Sequence, residues 1–187
     1  MFVSNARIGI DKPLEESEGK VQLLTENCDG ESQWRFDALV KGESNQLFFE
    51  IAVPFSKNHL NPLMQQPPLN DSTMFWNWQL GHKFFRIDVV SDNKNWFFHL
   101  GSLGCVSPAP VRSPKEPCSQ PNRVKVALPL NQTNTINLNL DALVKGVVLS
   151  SDNSCMSDLK TPSCSVLLDN VGVNGSQKIF TSAAEAI

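Results

Sequence analysis

Apolar and polar residues alternate with a period of two along most of the chain, the pattern of strands buried on one face. In QLFFEIAVPF, Leu47, Phe49, Ile51, Val53 and Phe55 fall on one side. In KFFRIDVV the apolar side is Phe85, Ile87 and Val89, opposed by Arg86 and Asp88. NWFFHLG sets Trp96, Phe98 and Leu100 on one side and His99 on the other, next to Phe97. RVKVALPL and NTINLNLDAL alternate in the same way, with Val124, Val126 and Leu128, then Ile136, Leu138 and Leu140, facing inward. No segment carries a sustained helical period with caps, and the C-terminal TSAAEAI is the best short helix candidate. The pattern predicts an all-β chain, residues 1–187 forming a single sandwich-like domain of antiparallel strands.

The connections between these strands are long and polar. Residues 57–73 and 105–122 hold most of the 12 prolines, and loops beyond about 12–15 residues are uncommon in compact domains unless they are functional or cross-linked. Cys105 and Cys118 bracket CVSPAPVRSPKEPC, and Cys155 and Cys164 bracket CMSDLKTPSC. Such loops cannot build a core of their own, so disulfides pinning them are favoured over a four-thiolate zinc site, which normally uses close CxxC pairs. Two local bridges are the simplest connectivity, and Cys28 is left over, to be paired outside this chain or with a missing N-terminal piece. Disulfides imply an oxidising compartment: periplasmic, cell-surface or secreted, with the export signal removed.

Charge and hydropathy remove other classes. The net charge is −3 and no run of Lys or Arg exists, so nucleic acid is not an expected partner. No stretch approaches the ~18 consecutive apolar residues of a membrane span. There is no G-x-S-x-G, P-loop, G-x-G-x-x-G or H-E-x-x-H, and the chain is not expected to be an enzyme. What remains is three histidines, His59, His82 and His99, with tryptophans around them. Each has an ordinary reading: His59 as a surface residue in a polar loop, His99 as a half-buried strand residue with one hydrogen-bond partner. Trp76 and Trp78, two apart, read as strand neighbours on one face, either core or an aromatic platform. Residue types alone support no more than a His-based metal site, with a non-metal surface domain binding carbohydrate or protein through exposed aromatics as the alternative.

Several motifs occur in order: FVSNARI near the start, VPFSKNHLNP, PLNDSTMFWNWQLGHKFFRID with its W-x-W, FHLGSLGC, and two later Cys pairs. In these the chain resembles the MbnP family, copper-binding proteins related to MopE and CorA of methane-oxidising bacteria. The resemblance implies an exported protein that binds a single copper ion as Cu(I) for copper acquisition or homeostasis. It implies that Trp76, the first tryptophan of W-x-W, is oxidised to kynurenine by a diheme MbnH-type peroxidase, and that the product joins two histidines as a ligand. His59 and His99 match the family motifs; His82 stands where tyrosine is often seen and is the reserve. Met74, read as same-face with Trp76, is a further candidate. The family usually carries an extra N-terminal strand with a cysteine, which would account for Cys28. The chemistry is consistent, because an indole lone pair belongs to the ring whereas the aryl amine of kynurenine has a free one. Imidazoles with such a nitrogen suit Cu(I) when thiolates are locked in disulfides.

Overall fold

The computed structural model describes residues 1–9, 19–25, 33–91, 94–109, 112–158 and 161–183. Along the chain these form β1 (Phe2–Ile8), β2 (Val21–Leu23), β3 (Leu39–Val40), β4 (Gln46–Ile51), the one-turn helix α1 (Phe55–Asn58), β5 (Phe75–Asn77) and β6 (Gly81–Ser91). They continue with β7 (Lys94–Gly101), β8 (Val124–Pro129), β9 (Ile136–Leu138), α2 (Leu140–Val144), α3 (Pro162–Val171) and β10 (Phe180–Ser182). One sheet runs β2-β1-β4-β8 with antiparallel neighbours, and β3 adds to β1 in parallel. A second runs β5-β6-β7, also antiparallel, and β9 pairs with β10. The sequence expectation of an all-β, sandwich-like fold of antiparallel strands holds.

The alternation of apolar residues explains the core. Phe2, Phe49, Ile51, Val124 and Val126 of the first sheet and Phe84, Trp96, Phe98 and Leu100 of the second belong to one continuous buried cluster. Leu47, Phe49, Ile51 and Val53 are buried as the period demands, but Phe55 leaves the strand and begins α1. In β6 a register shift between Lys83 and Phe85 lets both Phe84 and Phe85 enter the core, and beyond it Ile87 is only half-buried and Val89 is exposed.

Two expectations at the C-terminal side are corrected. β9 stops at Leu138, because the Asn139 side chain accepts from the Ala142 N–H (3.0 Å) and caps α2; Leu140 therefore starts a helix and is exposed. Thr181 and Ser182, read as the start of a helix, pair in β10 with Asn137 and Ile136, and residues 184–187 lie outside the described residues. Among the described residues the longest helix is α3, where the sequence pattern led to no expected helix. Pro162 sits in its first turn, Gly172 (φ 99°) ends it, and Cys164, Leu167, Leu168 and Val171 make one buried stripe. Among the described residues no helix is long and apolar enough to cross a membrane.

Both expected disulfides form. Cys105–Cys118 closes the loop that follows β7, and Cys155–Cys164 ties α3 to a strip lying along the free edge of β7. Cys28 lies outside the described residues.

Phe98, fully buried between β6 and that strip, should cost about 3–5 kcal/mol when cut to alanine. Val90, 72% exposed on the same hairpin, should cost no more than about 0.5 kcal/mol. Chemical denaturation of the two variants checks this, and equal losses would contradict the assigned core.

Candidate metal centre

Trp76 is delivered by a tight connection between β5 and β6. The Asn77 side chain accepts from the backbone N–H of Gln79 (3.0 Å) and Leu80 (2.8 Å), which ends the strand and turns the chain. Gly81, at φ 78°, closes the turn; a Cβ there would lie 2.6 Å from the Asn58 carbonyl oxygen, so no other residue fits. Trp78 therefore sits in the turn and not on the strand, and the two tryptophans do not share a face as the sequence suggested. Trp78 packs on Phe75 (centroids 6.3 Å apart), whereas the six-membered ring of Trp76 lies over Gly101, where a Cβ would approach its Cζ3 to 2.5 Å. The Trp76 ring also faces His99 at 6.4 Å. Met74 ends a separate 3-10 turn, Ser72–Met74, before β5 begins, and is buried in the core.

His99 is held on every side. Its backbone N–H donates to Cys155 O (2.8 Å), and its carbonyl accepts from Ser157 Oγ (2.9 Å). Arg86 stands opposite it in the ladder. Its ring Nε2 lies 2.6 Å from Asp88 Oδ1, and Asp88 in turn takes two bonds from the Arg86 guanidinium. Burial alone would raise the Asp88 carboxyl, but the hydrogen bonds from Arg86 and His99 and their charges outweigh it and hold it below the usual carboxylate range. An ionised Asp88 accepts, so Nε2 carries the proton and Nδ1 keeps its lone pair. That Nδ1 is buried and has no partner. A carboxylate behind one ring nitrogen with the other left open is the arrangement of metal-binding histidines.

His59 caps the end of α1 and is only 2% exposed, in contrast to the surface position its loop suggested. Asn58 Oδ1 accepts the backbone N–H of His82 (2.8 Å), which orients its amide so that Nδ2 donates to His59 Nε2 (3.2 Å). The His59 ring packs on Phe55 (5.3 Å), with Cys118 Sγ 3.7 Å from Nε2. The backbone of Trp78 and Gln79 favours its protonated form, yet Nδ1 has no partner of hydrogen-bond geometry and burial dominates, lowering the pKa. As a metal donor, His59 would have to release the Asn58 amide or shift its proton from Nδ1.

His82 is different. It is fully buried, with Nδ1 2.8 Å from Asn58 O and Nε2 3.1 Å from Leu69 O, wedged against the rings of Phe2 and Phe75. Both nitrogens are occupied by carbonyls. Trp34 and Trp96 donate their indole N–H to Thr25 O and Asn153 O; among the described residues Trp76 and Trp78 have no such bond.

The arrangement thus joins Trp76, Gly101, His99 and Asp88, with His59 and Asn58 under the turn that follows Trp76. Sequence reading missed Asp88, Gly101, Asn58 and Ser157. Asp88 carried a signal, since it shares the polar side of its strand with Arg86 and pairs across to the strand of His99. Among the described residues, the group of His, Cys, Asp or Glu side chains whose donor atoms all lie within 4.8 Å of one another is His59, Cys105 and Cys118, with the cysteines bridged.

A family model, MbnP, matches residues 1–157, which include all three histidines, Trp76 and Ser157 but not α3. A solved structure, MbnP from Methylosinus trichosporium, superposes with a TM-score of 0.66 at 22% identity, over 92% of this chain and 75% of that one. The likeness shows a shared fold. No curated protein sequence matches the chain significantly.

Burial lowers the pKa of His59, His82 and His99 from the ordinary 6.5. The carbonyls around His82 and the Asp88 carboxylate beside His99 oppose the shift without reversing it. Below pH 6.5 the unfolded chain then takes up protons that the folded one refuses. Their contribution to stability is complete above that pH and is lost as acid brings the solution down through the folded values. Denaturation midpoints should fall steadily as the pH is lowered below 6.5; a midpoint that rises on acidification would reverse the assigned sign.

Proposed function

The chain belongs to the MbnP family, and from that premise we propose that it binds a single copper ion as Cu(I) outside the cytoplasm, through His99, His59 and a kynurenine made from Trp76. Its role is copper acquisition or homeostasis, and it acts as a binder and not as an enzyme. The observation that carries the reading is the buried, unpartnered Nδ1 of His99, its ring backed by Asp88 and facing Trp76. The two disulfides support an oxidising compartment and leave the soft thiolates of those four cysteines out of the ligand set.

The chain's own residues do the preparation. Asp88 fixes the tautomer of His99 and raises the basicity of its free nitrogen. Gly101, lacking a side chain, lets the Trp76 ring approach β7. Oxidation of Trp76 by two equivalents of peroxide, which deliver two oxygens and leave as two waters, cleaves the indole C2–C3 bond, and hydrolysis then releases the formyl carbon as formate, leaving an aryl amine with a free lone pair. The oxidising partner is a diheme MbnH-type peroxidase. His82, with both nitrogens on carbonyls, serves the fold, and Met74 is core. Trp76 and Trp78 pack on different neighbours, which gives less support to the alternative of a surface domain binding carbohydrate or a protein partner through exposed aromatics.

In protein from its native host, the peptide holding Trp76 should be about 4 Da heavier than its sequence, one oxygen gained and one carbon lost, while Trp78 stays intact. His99→Ala should abolish tight Cu(I) binding in competition with a chromophoric chelator. Asp88→Asn should weaken it about 10–100-fold. Protein made without the oxidising partner should bind weakly; if it bound as tightly as native material, the kynurenine would have no part in the site.

A further inference from the structure

We infer that Cys105, Cys118 and His59 form a second, redox-gated metal site, which takes a divalent zinc-like cation when the Cys105–Cys118 disulfide is opened. The inference draws on these three residues and not on His99 or Trp76; because the proposed copper site also uses His59, the two metals would compete for its ring.

The three donors already converge. His59 Nδ1 or Nε2 and both sulfurs lie within 4.8 Å of one another, with His59 2%, Cys105 4% and Cys118 6% exposed. Cys118 Sγ stands 3.7 Å from His59 Nε2. Ligands bonded to one tetrahedral zinc at ordinary Zn–S and Zn–N lengths stand about 3.5–4 Å apart. Opening the bridge therefore asks the sulfurs to part by rotation about Cα–Cβ, with the backbone left in place.

That backbone is held by more than the bridge. Leu103 and Gln120 exchange two hydrogen bonds (2.8 and 3.0 Å), and Ser119 N donates to Gly104 O (3.2 Å), so a short antiparallel ladder brings the two cysteines together. Gln79 Nε2 holds Cys105 O at 2.7 Å. Within the closed loop, Ser113 Oγ donates to the carbonyl of His59 itself, at 2.5 Å. The ladder and these side chains keep the donors near one another after the S–S bond is gone, which a loop held by its disulfide alone could not do.

The chemistry balances. A dithiol reductant gives two electrons and two protons to the S–S bond, forming two thiols and its own disulfide. A bound divalent cation then displaces the two thiol protons. Two thiolates and a neutral imidazole around a divalent ion leave no net charge in a buried place, whereas a monovalent ion would leave one uncompensated negative charge. Softness of the sulfurs selects a zinc-like ion over magnesium or calcium, and the fourth position stays open. His59 would exchange its contact with the Asn58 amide for the metal.

Cobalt(II) is the probe, because thiolate ligation gives a charge-transfer band and tetrahedral geometry gives intense visible bands. The full chain, reduced with a phosphine, should keep its β circular dichroism, alkylate at Cys105 and Cys118, and take up one equivalent of cobalt that zinc displaces. Oxidised protein should show no such bands. His59→Ala should keep both thiols yet weaken cobalt at least about tenfold, and Cys118→Ser should remove most of the charge-transfer band. Three results would overturn the inference: a chain that unfolds on reduction, free Cys105 and Cys118 without the bands, or bands that survive Cys118→Ser because the ion sits on Cys155 and Cys164. A bridge that resists reduction while the chain stays folded would overturn it as well.

Discussion

The backbone of β7 is hydrogen-bonded along both edges, and much else in the molecule is arranged around that pairing. On one side it pairs with β6; on the other, Cys155 exchanges two 2.8 Å bonds with Phe97 and His99, and Ser157 bridges His99 and Gly101. A strand satisfied on both edges cannot slip, and a slip by one residue would turn every side chain to the opposite face. With the register fixed, Phe98 and Leu100 enter the core while His99 turns to Asp88 and Trp76. The Cys155–Cys164 disulfide carries the constraint on to α3, so the helix that packs beneath the core also anchors the strip that fixes His99.

The three histidines show how identical side chains acquire different chemistry from their neighbours. All are buried, and burial keeps all of them towards the neutral form. A neutral imidazole has one donor and one acceptor nitrogen, and the partner on the first decides what the second can do. Carbonyls meet both nitrogens of His82; an amide donor meets one nitrogen of His59; a carboxylate meets one nitrogen of His99. Of the three, His99 is the ring whose acceptor nitrogen is left with no protein group against it. The Arg86 guanidinium keeps Asp88 ionised and so maintains that state.

How much of this the sequence held varies by residue. The strands around Leu47, Phe49, Ile51, Trp96, Phe98, Val124 and Val126 were legible, because period-two alternation is a local property that burial then uses. Trp78 was misplaced because two aromatic residues two apart read as one face, although Asn77 before a Gln-Leu-Gly turn carries the stop signal. Leu140 failed for a similar reason: alternation was followed through Asn139, which is a helix cap. In α3 the cysteine was read only as the end of a bridged polar loop, yet at the first turn of a helix a proline such as Pro162 is favourable, and counting Cys164 as apolar completes the stripe. The burial of His59 had no local signal at all. It follows from the loop closed by Cys105–Cys118 folding back onto α1, a contact between segments more than fifty residues apart.

The account rests on one nitrogen atom, Nδ1 of His99, and imidazole nitrogen-15 NMR of native-host protein reads it directly. Before metal, the His99 spectrum should report a neutral ring protonated at Nε2, and one equivalent of Cu(I) should move its Nδ1 resonance by far more than either nitrogen of His82. If Cu(I) instead moved the His82 nitrogens and left His99 Nδ1 where it was, the assignment of the metal centre to the Trp76–His99–Asp88 group would be contradicted.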